Sequence, residues 1–441
     1  MSVSWTLIAI FVPAIAFFLF AKPPPGVLVA AVLVMAVFTR PLIYSGSDWP
    51  ERVADIATGA PGITMLSATL VVFALANPLP RGFPSVWGYA FLSLIGLAFG
   101  YVAFWSHSLA VNVGTLHLAL SLLAFPAGYA IGARKHTVSD ARFIATTVLA
   151  LACCAVAIEA YQMVSGVVDE LGRPSAAFQH SAVVGKLSLI MLIAMLPLLR
   201  HEDKRVSRRA FLAVTMCAVA TGLTLSRANS ICIVAVFVAW ELILSPRGRV
   251  RRQGSRAPMI FIVSALAALF APTIIDRFRT DPDGGGRPEM MEAALTYLPD
   301  YWLTGTGPNN YTIEFMRFST IVMKTTRPVH NSAMLLLLEL GVFIAFLYAL
   351  PLLVAWLRGA RNWIGNFDQR LWGRSLAIGL VGVGASAMTG WAFIQEPALG
   401  FLLFVTGYAT GRLAAAGLEP MAEPLSDVGQ VSDKEPSTAV R

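Results

Sequence analysis

Three residues in this 441-residue sequence have the types and settings to hold an anion and move a proton: Arg227, Arg287 and His330. Arg227 stands in the turn LTLSRANS between two short apolar runs. A guanidinium there either snorkels to lipid headgroups or offers its planar fork to a phosphate. Arg287 follows the flexible turn 281–286 and precedes Pro288, which suits the first position of a helix. Free N–H groups and the dipole at a helix N-terminus favour an anion, and an arginine beside them adds charge; the plain alternative is a surface arginine. His330 precedes Asn331 and Ser332, either of which can cap the apolar run that follows. An imidazole at such a water–lipid boundary can exchange a proton near pH 7, although a single histidine is more often structural. Arg317, Lys324 and Arg327 lead up to it, and Glu339 stands two turns into the run, where it steers a basic group or bonds a neighbouring helix.

Arg287, His330 and Glu339 belong to one stretch, Asp276 to Gly341, the only long polar interval in the chain. Within it, Met291, Ala294, Leu295 and Leu298 form an apolar stripe at helical spacing, so a short amphipathic helix is expected on the membrane surface or against other helices. Gly305-Thr306-Gly307-Pro308 is a sharp turn. It is no nucleotide fingerprint, because no strand–turn–helix unit surrounds it.

The elements that position these groups are membrane helices. Apolar residues make up 56% of the chain and charged residues 13%, about half the share of a soluble domain. Apolar runs long enough for a bilayer of ~30 Å recur from end to end. Helices or a closed barrel are the structures that satisfy a backbone in lipid, and these runs are too long and too uniformly apolar for barrel strands. The expected fold is therefore all-α, a polytopic bundle. Candidate spans cover roughly 5–20, 26–39, 62–77, 86–105, 110–132, 142–165, 181–199, 210–226, 229–245, 257–275, 333–356, 375–394 and 398–414.

Segments 133–142, 200–209, 246–256 and 358–374 are short and rich in arginine and lysine, which places them in the cytoplasm. The turn Ser226–Asn229, the loop 166–180 and the stretch 276–332 then lie outside. Thirteen spans would put Met1 outside as well; about twelve (11–13), with both ends inside, is the preferred count. The organisation reads as an N-terminal transmembrane bundle (1–275), a catalytic loop (276–332), C-terminal membrane helices (333–415) and a polar tail (416–441).

The net charge of +8 does not point to nucleic acid, because the basic residues cluster in the short loops between spans. The four cysteines lie inside apolar runs, without metal-ligand spacing or a disulfide framework. Ionisable residues within spans suggest function. Glu159 and Lys186 stand at matching depths in consecutive spans, close enough to pair across the hairpin, either as a structural ion pair or as functional groups.

The Ser226-Arg227 turn, Arg287 before a helix, the 305–307 turn, His330-Asn331 and Glu339-Leu340-Gly341 together resemble the O-antigen ligase and O-antigen polymerase superfamily of bacterial envelope glycosyltransferases. The resemblance covers about 170 to 360. Two positions depart from it. Ala228 stands where the family commonly has Gly, and Gln179-His180 stand where an Asn-rich turn is frequent.

The resemblance implies transfer of glycan from an undecaprenyl-diphosphate carrier, without metal or cofactor, at the periplasmic face of the inner membrane. The acceptor would be lipid A-core or another lipid-linked repeat. Arg227 and Arg287 would bind the diphosphate and act in catalysis, and His330 would activate the acceptor hydroxyl. Arg327, Asn331 and Glu339 would complete the substrate site. The rival from another class is a transporter or flippase of lipid-linked saccharide. It would spread its charges along a central path to the inner side, whereas here they gather outside.

Overall fold

The computed structural model describes residues 2–3, 21–37, 41–44, 62–77, 84–168, 173–176, 178, 181–241, 271–272, 275–276, 279, 286–325, 327–391, 393–394 and 397–418. The expected segments 5–20 and 246–256, most of the span 257–275 and nearly all of the tail lie outside these residues, as do Gln179 and His180.

In chain order the helices are α1 (Pro25–Val37), α2 (Met65–Ala76), α3 (Pro84–Ala103), α4 (Leu109–Leu122), α5 (Ala124–Gly132), α6 (Val138–Ser165), α7 (Ser181–Leu198) and α8 (Lys204–Leu223). They continue with α9 (Arg227–Ala239), α10 (Arg287–Tyr301), α11 (Tyr311–Phe315), α12 (Thr320–Thr325), α13 (Ser332–Leu340), α14 (Val342–Arg361), α15 (Phe367–Ala387) and α16 (Ala398–Leu418). Among the described residues, six segments are long and apolar enough to cross a membrane: 109–132, 138–165, 181–198, 204–223, 342–361 and 398–418. One feature departs from the all-α expectation. Strands β1 (Ser2–Val3), β2 (Pro41–Tyr44) and β3 (Gly62–Thr64) form a small antiparallel sheet in that order. Thr64 ends the sheet and caps α2, accepting from the Ser67 amide at 3.1 Å.

Three of the basic loops are mostly helix ends. A capping box between Thr137 and Asp140 starts α6 at Val138, and one between Asn366 and Gln369 starts α15 at Phe367. Asp203 caps α8, so that helix begins at Lys204. The caps lie inside charged runs, which is why apolar patterning alone places these starts several residues too late. Arg142 pairs with Asp203 at 2.8 Å, and the Asn366 amide donates to the Ala416 carbonyl at 2.7 Å. The first bond ties the start of α6 to that of α8. The second ties the start of α15 to the end of α16.

Helices α7 and α16 are buried along almost their whole length and form the centre. α16 meets α5 backbone to backbone. A Cβ on Gly128, Gly132, Gly407 or Gly411 would overlap main-chain atoms of the facing helix. Small residues four apart allow this approach, which matters where lipid tails leave no hydrophobic drive between helices. α14 turns large apolar side chains outward instead, Phe343, Phe346 and Trp356 among them, as a lipid-facing helix must.

His136 lies in the short link between α5 and α6, its ring edge-on to Tyr408 and one ring nitrogen 3.2 Å from the Ile131 carbonyl. Burial, then the Arg412 guanidinium and more weakly Arg134, hold its pKa down at about 4, against opposing effects from Ile131 and Asp140. The folded protein thus favours the neutral ring. The contribution to stability is complete above the unfolded value of ~6.5 and is lost as pH falls towards 4. Thermal midpoints measured between pH 6.5 and 4 should fall more steeply in the wild type than in His136→Gln.

Candidate functional site

The polar stretch builds a small core of its own. Helix α10 starts after Gly286 (φ 77°, ψ 24°), a left-handed position that glycine adopts without strain. No side chain caps this end, Pro288 fits its first turn, and Glu289 stands in the same turn. Arg287 is half-buried at the helix head. The buried face runs through Met290 and Ala294, while Leu295 is exposed; the stripe is therefore rotated from the expected one. The cause is an aromatic cluster that the periodicity of one helix does not show. Tyr297 and Tyr301 pack on Phe315, which also stacks on Tyr311, with ring centroids 4.1 Å apart in the last pair.

Gly341 breaks the expected span 333–356 in two. With φ 75° and ψ 161° it ends α13 and begins α14, so Glu339 belongs to a short helix that precedes the span, and His330 lies just before the cap of that helix. The turn 305–310 clasps this break. Amides of Thr306 and Gly307 donate to the Leu338 and Glu339 carbonyls at 2.9 Å, and the Val342 amide donates to Trp302 at 2.7 Å. Glu339 is buried, and its carboxylate accepts from the backbone amides of Asn309 and Tyr311. The Trp105 indole fixes the near side of the turn by donating to the Thr304 carbonyl at 2.8 Å. Burial and then the Glu339 charge push the Tyr311 phenol above its ordinary range, so it stays protonated within the clasp. A cavity of about 770 Å³ opens beside the turn. Its lining includes Phe104, Ser106, Asp300, Tyr301, Glu314 and Arg317.

At the other end of α13, Asn331 is the cap, its Oδ1 accepting from the Ala333 and Met334 amides at 3.0 Å. Ser332 donates to the Gly390 carbonyl at 2.6 Å, which fastens the His330 segment to the chain just beyond α15. The same place receives Lys186 from α7. Its ammonium lies 3.9 Å from the centre of the Phe393 ring and 3.3 Å from where a Gly390 Cβ would be. Arg287 is within electrostatic reach of this ammonium.

Arg227 is the first residue of α9 and half-buried. The turn before it is made by Leu225 at φ 54°, so the helix begins at Arg227, two residues before the expected span. Asn229 locks this helix head to the site. Its Nδ2 donates to the Ala182 carbonyl at 3.2 Å, its Oδ1 accepts from Ser386, and Gly185 leaves the room it occupies. The structure therefore joins the segments carrying Arg227, Arg287, His330 and Asn331 at one end of the bundle. Arg327 is exposed on the approach to His330, and Glu339 lies at the far end of α13.

The pair that the sequence allows between Glu159 and Lys186 does not form. Glu159 is buried, and both its carboxylate oxygens lack a hydrogen-bond partner among the described residues. The reason lies in packing: α6 lies mainly along α8 rather than along α7, its neighbour in sequence, while Lys186 turns towards Phe393. Lys186 is thus the residue that sequence reasoning misassigned. Its signal was a lysine one turn inside an otherwise apolar run.

Fold and site define an integral membrane protein of apolar helices, in which the segment after His330 is fastened beside the buried Lys186. Residues 210–349 match the family described as O-antigen ligase. That match supports placing the chain with the O-antigen ligase and polymerase superfamily, and it spans Arg227, Arg287, Arg327, His330, Asn331 and Glu339. No curated protein matches the chain.

Proposed function

We propose that the chain is a glycosyltransferase of the O-antigen ligase or polymerase kind. It moves a glycan from an undecaprenyl-diphosphate carrier to a saccharide acceptor, lipid A-core or another lipid-linked repeat. The reaction takes place at the periplasmic face of the bacterial inner membrane. About twelve spans carry the site, with 276–332 as the periplasmic catalytic loop. The observation that supports this reading best is the meeting of the Arg287 and His330 segments around Gly390 and Lys186, within an O-antigen ligase match.

In this reaction the bond between the anomeric carbon and the diphosphate oxygen breaks as the acceptor oxygen bonds to that carbon. The electron pair leaves with the diphosphate. Arg227 and Arg287 face that growing charge, and fixed donors aimed where charge develops lower the barrier without reorganising. This is work that a divalent ion performs in other transferases. The acceptor hydroxyl loses its proton to the neutral His330 imidazole. Arg327 and Asn331 flank the path, while Glu339 acts from behind, through the loop it holds. The cavity beside Tyr301 has the volume of a small-ligand site and takes part of a saccharide.

Arg227→Lys and Arg287→Lys keep the charge and remove the bidentate fork. In purified protein given lipid-linked donor and acceptor, each should raise the donor KM and lower kcat, together about tenfold or more. Expression and melting should stay normal. Full activity in both variants would overturn the diphosphate site. Product formed in detergent, where no second compartment exists, separates a transferase from a transporter.

A further inference from the structure

Lys186 has no place in the mechanism above, yet its setting calls for a partner. The side chain is 2% exposed, on a central helix. No carboxylate pairs with it among the described residues, and Glu159, the candidate from sequence, is not its neighbour. Its ammonium rests on the face of Phe393 instead. An aromatic face is a weak substitute for an anion, and a buried charge without a counter-charge is costly. Two observations place it in the candidate site. Gly390, beside its ammonium, accepts the hydrogen bond from Ser332, two residues after His330. Arg287 is also within electrostatic reach, so two like charges are held in one neighbourhood.

We propose that Lys186 is a third cation of the donor site, binding the diphosphate group of the lipid carrier together with Arg287, while the Phe393 ring holds the ammonium in the empty protein. The inference rests on the transferase reading and adds a residue to it from outside the matched family region. Lysine suits this place as a compact charge on a flexible stem, able to leave the ring and meet phosphate oxygens. The assignment also accounts for a buried lysine that packing alone would replace by methionine. A buried ion exchanged for an apolar side chain of similar volume is often neutral or stabilising.

The test uses the purified full-length protein in detergent micelles, with undecaprenyl diphosphate as the probe and undecaprenyl monophosphate as comparison. Lys186→Met should melt no lower than the wild type without ligand. It should bind the diphosphate about tenfold or more weakly, with a smaller loss for the monophosphate. Unchanged affinity for the diphosphate in a folded Lys186→Met would overturn the inference. Arg287→Gln is measured alongside. If it too binds like the wild type, the transferase reading falls; if it alone loses binding, only the role of Lys186 falls. Phe393→Leu keeps the lysine and removes its ring, which decides the matter even where Lys186→Met does not fold. Undecaprenyl diphosphate should then raise the thermal midpoint by more than it does in the wild type, and an equal or smaller shift would contradict the proposal.

Discussion

His330→Ala should reduce glycan transfer by about 10²–10⁴-fold, the range a general base contributes. Binding of undecaprenyl diphosphate should change little, because the histidine faces the acceptor in this reading. The geometry makes the comparison clean. His330 lies just before the α13 cap, and the cap bonds belong to Asn331 rather than to the imidazole. The segment is also fastened by Ser332 to Gly390. Truncation at 330 therefore leaves these anchors in place. His330→Gln sharpens the test, since a glutamine can hold a hydrogen bond but cannot take a proton at neutral pH. Turnover by the glutamine variant close to that of the wild type, measured in vitro, would reduce His330 to a loop anchor. The arginine variants should differ from it by changing donor KM as well as kcat.

The second large effect is expected at Gly305 and Gly341. Both have left-handed φ, +70° and +75°, where a Cβ is strained. Each also faces backbone. A Cβ on Gly305 would overlap the Glu339 carbonyl, and one on Gly341 would overlap that of Leu303. Main chain cannot swing aside as a flexible side chain does, so Gly305→Ala or Gly341→Ala must open the clasp. Losing it releases the backbone bonds at Thr306, Gly307 and Val342 and leaves the buried Glu339 carboxylate without its two amide donors. Steric strain and orphaned polar groups together amount to about 4 kcal/mol or more. We expect fast hydrogen exchange over 303–312 and 332–342 and loss of transfer. Gly384→Ala serves as the control, since nothing lies within 4 Å of a Cβ there. A Gly305→Ala protein with wild-type exchange and turnover would show that the clasp does not position the site.

The role of Glu339 follows from the same geometry. Its position two turns into an apolar run left two readings open, a group that steers a basic partner or one that bonds a neighbouring element, and the carboxylate is set against the main chain of the 305–311 turn. Local sequence could place the acid and the glycines near one another only as separate motifs. The bonds between them join residues about thirty positions apart, and nothing in either motif names the other.

The membrane class, the helical fold and the basic helix ends were determined by the sequence itself. They depend on composition within windows of about twenty residues, which a bilayer reads directly. The starts of α10 and α13 were legible too, because Pro288 and Asn331 are local signals. Which helix faces meet was decided only in the tertiary structure. In lipid an apolar side chain is equally well solvated by tails or by a neighbouring helix, so hydrophobic pattern does not specify partners. Small residues and isolated polar groups specify them instead, through contacts between distant positions. Gly128 and Gly132 admit the backbone of Phe404 and Tyr408, Gly407 and Gly411 admit that of Phe125 and Tyr129, and Asn229 selects Ala182 and Ser386. For the same reason Lys186 belongs with Phe393 and Arg287 and not with Glu159 in the preceding helix: α8, not α7, covers the face of α6.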